Sequence, residues 1–162
     1  MISTELLRFP AAILILVVLL IAAISDVRER RIPNWTVGLV LAFALASAAM
    51  SGGLSDMGWA ISAGLAMLAV SFALYAIGWI GAGDAKLFAA VAVFTGWGFL
   101  GSFVFLTAVG GGVLAILSLA QRPAEVLGAI ILQGGKRPSV EIPYGVAIAV
   151  GGAGVIWLRA FG

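Results

Sequence analysis

The sequence contains neither cysteine nor histidine, and only 10% of its 162 residues are charged. The absence of cysteine excludes disulfides, zinc–thiolate sites and cysteine nucleophiles. The absence of histidine excludes histidine-based catalytic triads and histidine-ligated metal sites. Any general acid–base chemistry must therefore come from Asp, Glu, Lys or Tyr side chains. We expect neither a bound metal nor a cofactor.

Hydrophobic residues, in contrast, make up 63% of the chain, and the mean hydropathy is +1.20. A soluble domain is about 45–50% apolar and about 25% charged. We therefore predict an all-α, polytopic protein embedded in the lipid bilayer. No polar linker divides the chain, so residues 1–162 are expected to form one domain. The net charge of +2 is small, and the basic residues are clustered, which gives no support for a nucleic-acid partner.

The apolar runs predict six transmembrane helices. They cover residues 9–25, 35–50, 57–80, 85–97, 99–120 and 143–158. The first run measures about 25 Å as a helix, enough for a short span. Its alternative interpretation is a cleaved signal peptide, but most of its positive charge follows the run instead of preceding it. The fourth run is only about 20 Å long, so it should begin inside the membrane boundary.

The segments between these runs are short, with one exception. Residues 26–34 are predicted to form a charged loop and residues 51–56 a turn, whereas residues 121–142 are the longest polar segment. Within that segment, an apolar helical face around residues 126–131 indicates a stretch lying along the membrane interface, followed by a basic loop at 134–138. Gly110-Gly111-Gly112, inside the fifth run, is typical of close helix packing.

The basic residues predict the orientation. Alternating the loops places seven of them on one side of the membrane and two, Arg8 and Arg159, on the other. The seven are Arg28, Arg30, Arg31, Lys86, Arg122, Lys136 and Arg137. The positive-inside rule makes the seven-residue side cytoplasmic. Asp26 and Asp84 both fall on that side, and Asp56 falls on the other.

Asp26 and Asp84 are the candidate functional residues, because each acid adjoins an apolar run. A carboxylate within a membrane segment costs a few kcal/mol (~2.5–3.5) even on lenient scales, so such residues are usually functional. Two carboxylates held close together share a proton. The charged one then takes a proton from water while the other donates to a carbonyl oxygen, which is peptide hydrolysis without a covalent intermediate. The alternative is that each acid merely caps a helix at the water interface.

These residues resemble a known family. Gly81-Ala82-Gly83-Asp84 looks like the GxGD motif of membrane aspartic peptidases, in which the two glycines allow close approach to the acid. The elements Asp26-Val27-Arg28 and Ile32-Pro33-Asn34 resemble the first aspartate motif of type IV prepilin peptidases. Pro143-Tyr144-Gly145 resembles the stretch that opens the last span of that family. The resemblance covers nearly the whole chain.

The resemblance implies that Asp26 and Asp84 are the catalytic pair. It implies a substrate that is a pilin or pseudopilin precursor with a short basic leader and a hydrophobic helix, cut at the cytoplasmic face of the bacterial inner membrane. Compared with the larger members, the chain lacks the four-cysteine N-terminal domain and has only eight residues before its first span, so no methyltransferase activity is expected. This compact form is similar to the peptidases of tight-adherence (Flp-type) pilus systems. Archaeal preflagellin peptidases are a nearby alternative, and the oligomeric state stays open.

Other residues around the two acids are candidates for supporting or substrate-binding roles. Three roles are open for Lys86: it keeps a carboxylate ionised, it binds an acidic group of the substrate, or it only marks the membrane boundary. Arg28 contributes to the site or only to topology, and Asn34 hydrogen-bonds near Asp26 or caps a helix. Gly81, Gly83, Pro143, Tyr144 and Gly145 complete this set.

Two other functions compete with the peptidase. A proton- or cation-coupled carrier uses intramembrane acids as a relay. The sequence shows neither a clear inverted repeat nor an interrupted helix pair, and both acids lie at one edge of the membrane. A non-catalytic assembly factor is the third hypothesis, and the presence of both aspartates argues against it.

Overall fold

The computed structural model describes residues 3–121 and 143–161, and every regular element within these ranges is an α-helix. The helices are α1 (Ser3–Glu29), α2 (Asn34–Ala76), α3 (Ala82–Ala120) and α4 (Tyr144–Phe161). All four contain a stretch long and apolar enough to cross a membrane. The predicted all-α fold is therefore confirmed, with four helices apolar enough to span a membrane, but six separate spans are not. The predicted interfacial stretch at 126–131 and the basic loop at 134–138 lie outside the described residues.

Two of the four helices are interrupted at glycines. In α2, Gly52 and Gly53 leave helical geometry, and Gly53 has a φ of 67°; in α3, Gly96 has a φ of 59°. Glycine adopts such positive φ angles without the steric cost that a side chain brings. The interruptions divide the two helices into segments 34–51, 54–76, 82–95 and 97–120. Their positions match the predicted ends of the second and fourth apolar runs.

Both interrupted helices fold back at the same end of the bundle. A cavity of about 840 Å³ there is lined from both sides of each interruption, by Ser47 and Trp59 of α2 and by Phe94 and Phe99 of α3. Residues near the start of α1 and the end of α4 line the same cavity. We call this the reversal end. Asp26 in the last turn of α1 and Asp84 in the first turn of α3 lie at the opposite end.

Several predicted boundaries were wrong. The turn predicted at 51–56 is confined to Gly52 and Gly53, because the residues on either side keep helical geometry. The charged loop 26–34 is only residues 30–33, because α1 continues to Glu29. Basic side chains are favourable in the last turn of a helix, so the charge that suggested a loop is compatible with α1. The fourth run begins as a helix at Ala82, not at residue 85, and an acid such as Asp84 is favourable in a first turn. The third run ends at Ala76, not at residue 80, just before Gly78 with a φ of 78°.

Segment 82–95 lies at the centre of the bundle. α1 and α3 each contact both α2 and α4. Nearly every residue from Ala85 to Thr95 is buried, and the segment is rich in alanine. Small residues let helix backbones approach closely, which is what drives helix association inside a membrane. The segment that begins with Asp84 is therefore held from several sides.

Glycines permit the closest of these approaches. A side chain at Gly152 of α4 would lie 2.8 Å from Leu19 of α1 and 3.4 Å from Val91 of α3. The predicted packing role of the glycine triple holds for two of its members. Gly110 and Gly111 face α4, but no described residue lies within 4 Å of a Cβ built on Gly112.

Arg159 stabilises the interruption in α3. Its guanidinium donates a hydrogen bond to the carbonyl oxygen of Thr95, immediately before Gly96. It also lies 4.9 Å from the ring centre of Phe94 and 5.0 Å from that of Phe99. An interrupted helix leaves carbonyl groups without their i+4 partners, and Arg159 supplies one of the missing donors. Arg159, one of the two basic residues predicted on the non-cytoplasmic side, thus has a structural role.

We predict that Arg159→Ala destabilises the protein by about 1 kcal/mol, the usual size of an exposed cation–π contact. The measurement is the unfolding midpoint in detergent, compared with Arg31→Ala as a control at an exposed arginine of the opposite end. A midpoint lowered equally by both substitutions would contradict the role of Arg159.

Candidate active site

Asp26 sits in the last turn of α1, and its carboxylate is directed at another helix. The side chain is buried, with 7% of the residue exposed. Its Oδ2 atom accepts a hydrogen bond of 2.8 Å from the backbone N–H of Gly145, at the start of α4. A carboxylate is disfavoured at the C-terminal end of its own helix and favoured at the N-terminal end of another. The α4 N-terminus therefore stabilises the acid that α1 presents.

Gly145 is glycine because Asp26 occupies the adjacent space. A Cβ atom built on Gly145 would lie 2.8 Å from Oδ2 and 3.0 Å from Cβ of Asp26. Contacts this short require the acid to move. Pro143 precedes the helix, and its carbonyl oxygen accepts from the N–H of Val146 at 3.1 Å, which closes the first turn of α4. The Pro143-Tyr144-Gly145 stretch thus presents a backbone N–H to Asp26.

Asp84 lies in the first turn of α3 and has one satisfied oxygen. Its Oδ2 atom accepts from the backbone N–H of Gly81, the N-cap residue, at 3.1 Å. This is the capping interaction that the sequence analysis kept as an alternative. The other oxygen, Oδ1, is buried and has no hydrogen-bond partner within the described part of the chain. A buried oxygen is costly to leave unpaired. Helix capping therefore explains the position of Oδ2 but not that of Oδ1.

The two motif glycines make room on either side of Asp84. A Cβ atom on Gly81 would lie 2.8 Å from Oδ2 of Asp84, so only glycine lets the acid fold back onto the N-cap. A Cβ atom on Gly83 would lie 3.2 Å from Cβ of Ile32, which brings the α1–α2 loop against the start of α3. Gly83 thus sets the approach between the two chain stretches that carry the acids.

The structure brings the two acids to the same end of the bundle. Asp26 and Asp84 lie close enough to interact electrostatically, and so do Arg30 and Asp26. Each carboxylate also accepts a backbone N–H at a helix N-terminus, α4 for Asp26 and α3 for Asp84. The positive ends of two helices therefore converge on the acids.

The other polar candidates are arranged around this pair but do not bond to it. The Nζ atom of Lys86 donates to Oδ1 of Asn34 at 3.3 Å, which links α3 to the start of α2. Asn34 is the first residue of α2, following Pro33 as the N-cap. Arg28 is exposed in the last turn of α1. Among the described residues, no hydrogen bond joins Arg28, Asn34 or Lys86 to either acid.

Arg30 also lies at the site, although its place in the sequence predicts only a topology charge. It has a φ of 54°, the single positive value among the non-glycine residues that the structure describes. Its N–H donates to the carbonyl oxygen of Asp26 at 3.0 Å, which ends α1. A left-handed residue closing a helix is usually glycine. No sequence signal marked Arg30, because a left-handed arginine depends on its surroundings and not on residue type.

Asp84 also lies at one end of an apolar groove of about 420 Å³. We call it the Asp84 groove; its lining includes Met67, Asp84, Phe88, Ala108, Gly112 and Tyr144. The half-buried Tyr144 lines the same groove, and it precedes the Gly145 that contacts Asp26. The start of α4 therefore contributes both to the Asp84 groove and to the contact with Asp26.

Comparison with known proteins identifies the family. The model of the type IV leader peptidase family matches residues 13–116, a range that includes both acids and the Gly81–Asp84 motif and ends before Pro143. Neither the curated proteins nor the solved structures gave a match. The matched range is well over half of the sequence, and the chain belongs to the type IV leader peptidase family.

Proposed function

We propose that this leader peptidase is an aspartic endopeptidase that removes the short basic leader of Flp-type prepilins, with Asp26 and Asp84 as its catalytic pair. The observation that carries the proposal is the convergence of two acids from separate helices at one end of the bundle. One oxygen of Asp84 is buried there with no hydrogen-bond partner among the described residues, and Asp26 lies close enough to interact electrostatically with that carboxyl group.

The proposed mechanism uses the pair as one unit that holds a single proton. The ionised carboxylate takes a proton from a water molecule, whose oxygen attacks the carbonyl carbon of the scissile peptide bond. The protonated carboxyl group donates to the carbonyl oxygen, forming a tetrahedral intermediate. The C–N bond then breaks as the leaving amine takes up a proton from the pair and a hydroxyl group of the intermediate returns one to it, which restores the single shared proton. Neither acid is given a fixed role, because coupled groups titrate together.

We propose that the four helical segments of α2 and α3 each cross the bilayer, which with α1 and α4 gives six spans. Segment 82–95 measures about 21 Å and the other three about 27–36 Å, so the short one places Asp84 below the membrane surface. Arg28, Arg30, Arg31 and Lys86 lie at the end that carries the acids, which supports a cytoplasmic active site. The inner membrane of a bacterium is the corresponding location.

The geometry also bears on where a basic leader binds. Four basic residues surround this end, so a basic leader is not attracted to residues 28–31, and we expect its contact nearer Asp26 and Asp84. Lys86 is engaged with Asn34, which favours a role in joining α2 to α3 over a role in holding a carboxylate charged.

The carrier hypothesis finds less support. Contrary to the prediction, the structure contains two interrupted helices, but Gly53 and Gly96 lie at the reversal end, away from Asp26 and Asp84. Carriers place their acids and their broken helices together near the midplane. Here the interruptions reverse the chain, and the acids sit at the other end.

We expect either Asp26→Asn or Asp84→Asn to abolish cleavage of a membrane-embedded prepilin, a loss of at least about 100-fold, since general acid–base groups typically contribute that much or more. Cleavage is followed by the mass of the product in proteoliposomes. Asp56→Asn, at the reversal end, is the matched control and should cleave normally. Near-native cleavage by either active-site variant would end the assignment, and proton flux in the same vesicles would then support a carrier.

Gly145→Ala should reduce cleavage at least tenfold, because the added methyl group would lie only 2.8 Å from Oδ2 of Asp26 and forces the carboxylate to move. Initial rates and the unfolding midpoint are measured together, so that loss of the site is separated from loss of the fold. The control is Gly38→Ala on α2, where a built Cβ has no neighbour within 4 Å. If Gly145→Ala cleaves like the control, the Asp26–Gly145 contact has no part in the reaction.

The absence of cysteine makes the six-span topology testable by single substitutions. We expect Arg31→Cys and Ile77→Cys to react with an impermeant thiol reagent only from the cytoplasmic side. Ser55→Cys and Gly98→Cys, beside the two interruptions, should react only from the opposite side. Labelling of all four positions from one side would exclude the fold-back of α2 and α3 across the membrane.

A further inference from the structure

We infer that the Asp84 groove is the docking site for the first two or three turns of the precursor's hydrophobic helix, the part that follows the scissile bond. This inference rests on the proposed function, because it assigns the binding site for the same substrate. The occupant is a single apolar helix that enters from the lipid with its N-terminal end at Asp84.

The position and size of the groove indicate its occupant. It extends along α2 from Leu74 to Met67 and along α3 from Ala115 to Val104. At 1.5 Å per residue these stretches measure about 10 Å and about 16 Å, or two to three helical turns. A segment of that length leads from the acid at the bundle end into the apolar interior.

The chemistry of the lining matches a chain that changes from polar to apolar. Asp84 stands at one end with its Oδ1 atom buried and unpaired among the described residues. Most of the remaining lining is aliphatic or aromatic, including Met67, Val70 and Phe88. An apolar segment in lipid must be helical to satisfy its backbone, whereas the peptide bond at the acids has to be extended for attack. The lining therefore fits a helix whose first residues unwind at Asp84.

One wall of the groove is suited to close helix contact. Ala108, Gly111, Gly112 and Ala115 follow one another at helical spacing on α3, and all four line the groove. Small residues at this spacing let a second helix approach closely in a membrane. Gly111 is in ordinary contact with Ala147 of α4, whereas no atom of the described residues lies within 4 Å of a Cβ built on Gly112. We propose that the precursor helix occupies the space beside Gly112.

The first test is Gly112→Leu, which places a side chain in the groove. Its matched control is Gly101→Leu, on the same helical segment and also with open space around a built Cβ, but outside the groove lining. The substrate is a synthetic precursor with a short basic leader, a glycine at the junction and a hydrophobic helix. We expect at least a tenfold loss of kcat/KM for Gly112→Leu, caused by a higher KM, with Gly101→Leu unchanged. Equal rates for the two variants would overturn the docking site.

The second test is direct cross-linking, for which the cysteine-free chain is well suited. In the Asp84→Asn background, Ala108→Cys or Ala115→Cys is combined with single cysteines along the first eleven residues of the precursor helix. We expect disulfides that recur every three or four precursor positions, and none from Gly101→Cys. Cross-links that are absent at both groove positions, equal at the control, or formed only between two peptidase chains would contradict the inference.

These outcomes separate the inference from the proposed function. If wild type cleaves the precursor and Asp84→Asn does not, the peptidase assignment stands whatever the groove variants do. If wild type leaves the precursor intact under conditions where the cross-links form, the groove binds the helix and the catalytic proposal fails. Cleavage by wild type without cross-links or without a Gly112→Leu effect removes the docking site alone.

Discussion

The hydrogen bond from the Gly145 N–H to the Asp26 carboxylate is the contact on which the arrangement at this end depends. It joins the last turn of α1 to the first turn of α4, across 119 residues of sequence. A buried carboxylate needs a partner that offsets its lost hydration, and a helix N-terminus supplies both N–H donors and a favourable dipole. Because a side chain at residue 145 would collide with Asp26, the contact requires glycine at that position. It also fixes the start of α4 relative to the Asp26 carboxylate.

Asp84 is held by a different device, and the difference is informative. It caps its own helix through one oxygen, so its position is set by segment 82–95, the most enclosed part of the bundle. Asp26 is set by a contact between helices, whereas Asp84 is set by local geometry and by the small residues that surround its helix. The two acids are therefore held in place by different contacts. The packing of Ile32, in the α1–α2 loop, against Gly83 sets the approach between the chain stretches that carry them.

Much of this arrangement could be predicted from the sequence, and the failures have physical causes. The all-helical fold followed from hydropathy, and the family followed from the motif at Gly81–Asp84 together with the elements around Asp26. The end of α1 was wrong because charge was taken to indicate a loop, although charged residues are stable in a last helical turn. The Asp26–Gly145 bond and the left-handed Arg30 depend on how distant helices pack, which no local pattern records. The groove is likewise formed by segments far apart in sequence.

The asymmetry between the two ends of the bundle explains how one small protein contains both a stable fold and unpaired polar atoms. At the reversal end, polar groups form hydrogen bonds with one another. The Arg159 guanidinium donates to the Thr95 carbonyl, the Trp97 indole to the Ser62 hydroxyl at 2.8 Å, and the Ser51 hydroxyl to the Asp56 carboxylate at 3.3 Å. At the other end, Asp84 keeps an oxygen without a partner among the described residues. An unpaired buried oxygen costs about 1–3 kcal/mol, a cost that enclosed packing elsewhere has to offset. A protein that binds its substrate through that oxygen recovers the cost on binding. The unpaired oxygen of Asp84 therefore lies where we propose that the substrate supplies the missing hydrogen bond.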